Sequence, residues 1–253
     1  MYTNGRSFFS AMPPVTKHLI IINVVIWVAM IVLPARFDLV KYAGLHYFTA
    51  PDFNIAQLFS YMFLHGGLTH LFFNMFTLFM FGMTLERVLG SGRFLFYYIS
   101  CGIGAALVQE GVWALMVDDI ASKNLEMVVA NFAHANRMTM EQAWQVIPEA
   151  QIEAFKGMVA NNLVTIGASG AVYGVLLAFG ILFPNLPMYL MFIPIPIKAK
   201  WMVIGYGIIE LTLGMSSAND GIAHFAHLGG MLFGVFMILY WKHKGIVNRN
   251  GFY

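Results

Sequence analysis

The sequence TIGASGAVYG (residues 165–174) opens an apolar run and carries one serine, Ser169, among small residues. The glycines at 167 and 170 remove side-chain bulk, so a neighbouring helix or a substrate backbone could approach the serine hydroxyl closely. In a helix, Tyr173 would share a face with Ser169 because the two are four residues apart. Gly170 and Gly174 form a small-xxx-small pair, so the stretch predicts either a helix-packing patch or a nucleophile.

The composition of the whole chain predicts an integral membrane protein. Of its 253 residues, 59% are hydrophobic and only 10% are charged, and the mean hydropathy is +0.72, which is too apolar for an ordinary soluble domain. The net charge of +2 is small and the basic residues are dispersed, so nothing indicates nucleic-acid binding. The single cysteine, Cys101, excludes an intrachain disulfide and a cysteine metal cluster.

Six apolar stretches approach the length of about 20 residues that a helix needs to cross the hydrocarbon layer. They are His18 to Leu33, Ile55 to Met83, Phe94 to Val117, Leu163 to Phe183, Trp201 to Met215 and Ile222 to Trp241. The first lacks a convincing cleavage site in its Leu33-Pro34-Ala35-Arg36 end and is interpreted as a retained span. The predicted fold is therefore all-α, a six-helix polytopic membrane bundle in a single domain over residues 1–253, with prolines between spans four and five.

Basic residues in the connections predict that both termini are cytoplasmic. With the N-terminus inside, nine Lys and Arg residues fall on the cytoplasmic side and five on the other. The even-numbered spans then run from the outside to the inside. The expected location is the cell membrane, inner or plasma, of a bacterium.

A polar insert from about Asp118 to Asn162 separates spans three and four and is expected on the extracytoplasmic side. Thr139 followed three residues later by Gln142 predicts a capping box, and Pro148 suits the start of a helix over Glu149 to Val159. Charged residues alternate with apolar ones there, which favours amphipathic helices on the outer membrane surface.

Polar side chains recur near the N-terminal end of each even-numbered span, where lipid would disfavour them. His70 and Asn74 share a face of span two, Ser169 and Tyr173 share a face of span four, and His227 shares a face with glycines 230 and 234 in span six. The similar depth of the three groups favours one joint site over independent packing. His65 and His224, at the mouth of such a site, are interpreted as structural or water-facing.

These residue types divide naturally into the parts of a hydrolytic site. A serine hydroxyl needs a base, and histidine titrates in the right range, so His227 is the candidate base for Ser169. The glycine face formed by Gly230 and Gly234 would let its helix pack closely on span four, and Tyr173 could orient the His227 ring. His70 and Asn74 could stabilise an oxyanion together with a backbone N–H near Ser169.

The sequence resembles the rhomboid family of intramembrane serine proteases over nearly its whole length. Gly-Ala-Ser-Gly at 167–170 resembles the nucleophile motif of that family, and His227 with Gly230 and Gly234 resembles its HxxGxxxG helix. His70-x-x-x-Asn74 resembles its oxyanion-binding pair. Gly82-x-x-x-Glu86-x-x-x-Gly90 is similar to a structural segment at the inner end of span two.

The resemblance implies a Ser169–His227 dyad without a third carboxylate, with Gly167, Gly170 and Tyr173 as supporting residues. It also implies a water-filled cavity open to the outside, a first loop partly in the membrane, and a cap formed by span five and the Ser216 to Gly221 loop. The Trp-Arg pair often found in that first loop is absent here. Transmembrane proteins and the lipid bilayer are the expected partners, and no cofactor is expected.

Two other classes of function stay open at the level of sequence. A non-catalytic client-binding protein could share the scaffold, although this chain keeps both the serine and the histidine. A transporter would use Glu110, Glu210 or the histidines and would not need Ser169. The histidines lack an HExxH pattern, so a metalloprotease is disfavoured and no metal site is predicted. Helix-to-helix hydrogen bonding is the simpler interpretation of Glu110 and Glu210.

Overall fold

A computed structural model describes residues 11–33, 37–189, 195–216 and 223–247, and most of these residues are helical. In chain order the elements are α1 (Pro14–Val32), α2 (Leu39–Ala43), β1 (Leu45–His46), α3 (Gln57–Ser60), a 3₁₀ turn (Tyr61–Phe63), α4 (Leu68–Leu89), α5 (Ser91–Asn136), α6 (Met140–Val146), α7 (Glu149–Asn161), β2 (Val164–Thr165), α8 (Ser169–Leu182), β3 (Pro187–Tyr189), β4 (Pro196–Lys198), α9 (Ala199–Met215) and α10 (His224–His243). The predicted helical architecture is confirmed, and the two short antiparallel strand pairs are an addition to it.

Four of the described helices, α1, α4, α5 and α10, are long and apolar enough to cross a membrane. Helices α8 and α9 are apolar too, but their 14 and 17 residues fall short of the usual length of about 20. Large apolar side chains are exposed along α1, α4, α9 and α10, as expected of surfaces that face lipid. The chain is therefore a multi-pass membrane protein, while the number of six spans stays a prediction.

The second predicted span begins later than expected. Helix α4 starts at Leu68, and the preceding residues from Ile55 form the short helix α3 and the 3₁₀ turn instead. Gly66 and Gly67 separate the two parts, because consecutive glycines are poor helix formers. His65 consequently precedes the helix and does not lie within it.

The third predicted span continues without interruption into the insert. Helix α5 runs over 46 residues, past Asp118, because no proline interrupts it and an exposed Lys123–Asp119 ion pair of 2.6 Å bridges one turn beyond the apolar part. It ends where Arg137 takes the left-handed conformation, with φ of 53°. Asp118, where the polar insert is predicted to begin, therefore lies inside the helix.

The insert forms a small helical unit on the extension of α5. The Thr139–Gln142 capping box is confirmed, with its two hydrogen bonds at 2.9 and 3.2 Å, and helix α7 follows Pro148 as predicted. A second apolar core joins α5, α6 and α7; it contains Leu125, Val129, Ala133, Ala143, Ile152 and Phe155. The two shorter helices pack on α5, so the insert has a core of its own.

Glu86, near the end of α4, stabilises the start of α1. Its carboxylate accepts hydrogen bonds from the backbone N–H groups of Val15 and Thr16 at 2.9 and 2.7 Å. The hydroxyls of Thr16 and Ser91 add two more, at 2.8 and 2.7 Å. A carboxylate at a helix N-terminus satisfies free N–H groups and complements the helix dipole.

Two backbone contacts fix the segment that leads to Ser169. Strands β1 and β2 pair antiparallel, with Leu45 opposite Thr165. The Gly167 N–H donates to the Tyr61 carbonyl at 3.0 Å. The loop before α4 and the segment before α8 are therefore joined.

Helix α8 ends just before the prolines, as predicted. Strands β3 and β4, which lie between α8 and α9 in the chain, pair antiparallel. The expected cap at Ser216 to Gly221 and the predicted start of span six at Ile222 cannot be compared, because residues 217–222 lie outside the described part of the chain.

Asp52 anchors the first loop to the insert. The Asn161 amide donates to its carboxylate at 2.9 Å, its own N–H donates to the Asn161 Oδ1 at 3.2 Å, and the Lys41 Nζ lies 3.5 Å away. The Asn161 hydrogen bond, with help from Lys41, holds the pKa of Asp52 below its usual value. The ionised carboxylate therefore stabilises this contact at neutral pH, and its contribution is lost as the pH falls through the lowered pKa.

Amide hydrogen exchange over residues 47–56, corrected for the intrinsic pH dependence, is expected to accelerate below about pH 4 in the wild type. Asp52→Asn should exchange rapidly across the whole pH range, because it lacks the charge that the contact depends on. An Asp52→Asn protein as protected as the wild type at pH 7 would contradict this role of Asp52.

Candidate functional site

Ser169 is the first residue of α8, directly after a turn that only glycine suits. Gly167 has a φ of +130°, which side chains disfavour. A Cβ at this position would lie 2.7 Å from the Nε2 of His70, so space as well as conformation requires glycine. Because α8 begins here, its first backbone N–H groups have no intrahelical acceptor and point toward the serine end of the helix.

Close backbone approach between α8 and α10 depends on the glycines that the sequence identified. A Cβ on Gly230 would lie 1.9 Å from the Gly170 carbonyl oxygen. A Cβ on Gly234 would lie 2.4 Å from the Tyr97 hydroxyl, which itself donates to the Gly174 carbonyl at 2.7 Å. These contacts leave no room for side chains and bring the faces that carry Ser169 and His227 together.

The Nε2 of His227 lies 2.8 Å from the Oγ of Ser169, within hydrogen-bond distance. The His227 ring stacks on Tyr173, with the ring centroids 4.2 Å apart and the planes inclined by 6°. Ser169 and Tyr173 lie on α8, and His227 lies on α10. The arrangement can transfer the serine proton to the imidazole and holds the ring at a defined orientation.

A carboxylate lies behind the histidine, which corrects the expectation of a dyad without one. Glu210, on α9, has its Oε2 2.9 Å from the Nδ1 of His227 and 2.6 Å from the Nδ1 of His224. The oxygen lies off the direction of the His227 Nδ1–H bond, so that contact is electrostatic and is not an aligned hydrogen bond. The Tyr173 hydroxyl donates to the other oxygen, Oε1. The expected helix-to-helix hydrogen bonding of Glu210 is therefore confirmed.

An open cavity of about 880 Å³ leads to the serine. Its lining includes His70, Asn74, Ser169, Tyr173, Tyr206 and His227. The three polar groups that the sequence assigned to separate spans thus border one space. A cavity of this size admits an extended segment of peptide.

His70 and Asn74 face that cavity from the first turns of α4. The Asn74 amide donates one N–H to the His70 carbonyl at 3.1 Å. Since a primary amide carries two N–H groups, a second remains for another acceptor. His65 is buried, with its ring 5.0 Å from that of His70, so its expected water-facing position is wrong while a structural role agrees with its burial.

Sequence reasoning missed two residues of the site. Tyr206 borders the cavity, and Glu210 follows it by four residues on the same face of α9. The available signal was a tyrosine and a carboxylate four residues apart in a mostly apolar helix. Glu110, in contrast, accepts from the Phe48 N–H in a loop at 3.0 Å, so the helix-to-helix bond expected for it is wrong.

Among the described residues, Glu210, His224 and His227 bring donor atoms within 4.8 Å of one another, which is close enough to hold a metal ion. Two ligands about 2.1 Å from a tetrahedral zinc ion would be roughly 3.4 Å apart. The observed contacts of 2.6 and 2.9 Å are shorter, as expected where the carboxylate and the imidazole nitrogens touch each other directly. The geometry favours an acid–base cluster over a metal centre.

Two curated proteins are similar to this chain. One is "RHOMBOID-like protein 4" of Arabidopsis thaliana, 27% identical over 200 residues, which cover 77% of this chain and 37% of that protein. The other is "Putative rhomboid protease YdcA" of Bacillus subtilis (strain 168), 32% identical over 108 residues, which cover 40% of this chain and 51% of that protein. The chain thus spans about half or less of the length of these two relatives.

The family model for the Rhomboid domain matches residues 52–118 and 123–244. The matched ranges include α4, α8 and α10, which supply the serine, both candidate oxyanion residues and the candidate base. The gap between them falls within the part of α5 that extends into the insert. Because the match covers well over half of the sequence, the chain belongs to the rhomboid family.

Proposed function

We propose that this protein is an intramembrane serine endopeptidase that cleaves transmembrane proteins through an acyl-enzyme on Ser169. The observation that carries the proposal is the 2.8 Å contact between the Ser169 hydroxyl and the His227 Nε2 at the end of a wide cavity. A packing serine would need neither a base nor an opening. The combination of nucleophile, base and access is what covalent peptide hydrolysis requires.

In the proposed reaction His227 takes the Ser169 proton while the serine oxygen attacks the scissile carbonyl carbon. The resulting oxyanion accepts hydrogen bonds from Asn74, His70 and the free N–H groups at the start of α8. His227 then donates its proton to the leaving amine, and the carbon–nitrogen bond breaks to leave an ester on Ser169. Water then attacks the ester while His227 takes its proton; the bond between the acyl carbon and the Ser169 oxygen breaks, His227 returns the proton to that oxygen, and the second product leaves as a carboxylic acid.

The substrate in this proposal is a membrane-spanning helix that unwinds locally. A peptide bond inside a helix is shielded and hydrogen-bonded, so its carbonyl reaches the serine only in an extended segment. The proposed location is the cell membrane with both termini in the cytoplasm, which the distribution of basic residues supports. The cavity would then open near the outer face.

Reaction of the detergent-purified protein with a fluorophosphonate probe tests the proposal. The wild type is expected to be labelled at Ser169, and Ser169→Ala should not be labelled, because the probe reports an activated serine. A folded wild type that is never labelled would overturn the proposal and favour a client-binding protein without catalysis.

Asn74→Ala is expected to lower turnover by about 10²- to 10³-fold, the usual cost of one lost oxyanion donor. KM should change little, because this N–H contributes mainly once the carbonyl oxygen becomes charged. The measurement is steady-state cleavage of a reconstituted transmembrane substrate, with fluorophosphonate labelling as a check that the serine is intact. Wild-type kcat in this variant would remove Asn74 from the mechanism.

A further inference from the structure

The base in the proposed reaction becomes positively charged in a largely buried place. His227 is 8% exposed and Glu210 is 6% exposed, so water cannot fully stabilise an imidazolium there. A carboxylate oxygen 2.9 Å from the Nδ1 of His227 supplies a negative charge at that point. Charges at this distance interact more strongly in a protein interior than in water.

Glu210 is itself held in place by contacts from two other helices. Tyr173, on α8, donates its hydroxyl to Oε1, and His224, on α10, lies 2.6 Å from Oε2. Tyr173 is also the residue whose ring stacks on His227. The carboxylate and the imidazole are therefore oriented by the same tyrosine, through its hydroxyl and through its ring.

The protonation of His227 follows from its two neighbours. With a carboxylate beside Nδ1, that nitrogen carries the proton, and Nε2 is left with a lone pair facing Ser169. The opposite tautomer would direct a lone pair at the carboxylate and leave no base for the serine. The position of Glu210 selects the tautomer that can act.

We infer that Glu210 is a positioning residue that fixes the reactive tautomer of His227 and stabilises its imidazolium, which makes the site a serine–histidine–glutamate arrangement. The inference rests on the proposed function and adds a residue to it. Because the carboxylate lies off the Nδ1–H direction, its charge contributes more than a directional hydrogen bond does. A variant that removes the charge of Glu210 should therefore be impaired more than one that only changes the length of its side chain.

The test measures the rate of fluorophosphonate labelling as a function of pH and compares the wild-type protein with three variants. Glu210→Gln keeps the shape of the side chain and removes its charge, whereas Glu210→Asp keeps the charge and moves it by one methylene. Glu110→Gln is the matched control, since Glu110 is also a buried carboxylate on a helix, 8% exposed, and lies outside the site.

Glu210→Gln is expected to lower the maximal labelling rate by about 10²-fold or more, because the imidazolium loses its counter-charge and the tautomer is no longer fixed. The midpoint of its pH–rate profile should move to lower pH by about one unit or more. Glu210→Asp should fall between Glu210→Gln and the wild type in both quantities. Glu110→Gln should match the wild type.

The outcomes separate this inference from the proposed function. A wild type that is never labelled would refute the protease proposal itself. A labelled wild type whose rate and midpoint are unchanged in Glu210→Gln would refute only the role of Glu210. If Glu210→Gln does not fold, Glu210→Asp decides, because it draws the charge away from the Nδ1 of His227 by one methylene. A shift of the midpoint to lower pH would support the inference, and an unchanged midpoint would overturn it.

Discussion

Replacement of His227 by alanine is expected to lower kcat by about 10⁶-fold, to the small residual rate that substrate binding and the oxyanion donors support alone, and Ser169→Ala should be equally severe. The two side chains act as one unit, because the serine is a weak nucleophile without a base, and without the serine there is no nucleophile for the histidine to activate. The double variant should therefore be no slower than either single variant. Non-additivity of this kind separates a shared chemical step from two independent structural losses.

Cleavage of a model transmembrane substrate in liposomes, followed by mass spectrometry of the products, measures this effect. His134→Ala is a suitable control, since His134 lies exposed near the far end of α5 and should retain wild-type turnover. A His227→Ala protein with more than roughly one tenth of the wild-type kcat would contradict a role for His227 as the base.

Gly230→Ala is expected to destabilise the protein by about 3 kcal/mol, the upper end of the usual cost of overpacking. The added methyl group would lie 1.9 Å from the carbonyl oxygen of Gly170 and 2.7 Å from its carbonyl carbon. Both are backbone atoms of α8, so no side chain can rotate away, and the two helices must separate. The separation would also lengthen the Ser169–His227 contact, so labelling by a fluorophosphonate should fall together with stability.

Thermal unfolding in detergent, with Gly207→Ala as the matched control, tests this expectation. Gly207 is also a helical glycine in an apolar segment, but a Cβ there would meet Met231 at 3.6 Å, an ordinary contact distance. Gly207→Ala should be as stable as the wild type or slightly more stable, because alanine favours helix. Equal melting temperatures for the two variants would show that α8 and α10 tolerate a wider separation.

The pattern of small and polar residues predicted which residues meet at the centre of the candidate site, because helix geometry is regular. Ser169 with Tyr173, and His227 with Gly230, fall at spacings of four and three, which place them on shared faces without knowledge of the fold. The Thr139 capping box was predictable for the same reason, since its hydrogen bonds are local. Local rules sufficed wherever the determining contacts lay within one helical turn.

Features that depend on contacts between distant segments were not predictable in this way. Hydropathy indicates where the apolar part of α5 ends, but it contains no signal for the end of the helix, which continues to Asn136. Strands of two residues, such as β1 and β2, have too few positions for alternation to appear. Glu210 was recognisable as a buried carboxylate, yet its proximity to His227 depends on how α9 packs beside α10.

The length of α5 also determines how the two ends of the molecule are coupled. Its 46 residues extend about 69 Å at 1.5 Å per residue, more than twice the hydrocarbon thickness of about 30 Å, so much of the helix stands beyond the lipid at any ordinary tilt. The insert is attached to the outer end of this continuous helix. From the insert, the chain returns from Asn161 to Ser169 in only eight residues. A mechanical force on the insert is therefore transmitted toward the serine along two covalent connections, helix α5 and the segment 161–169.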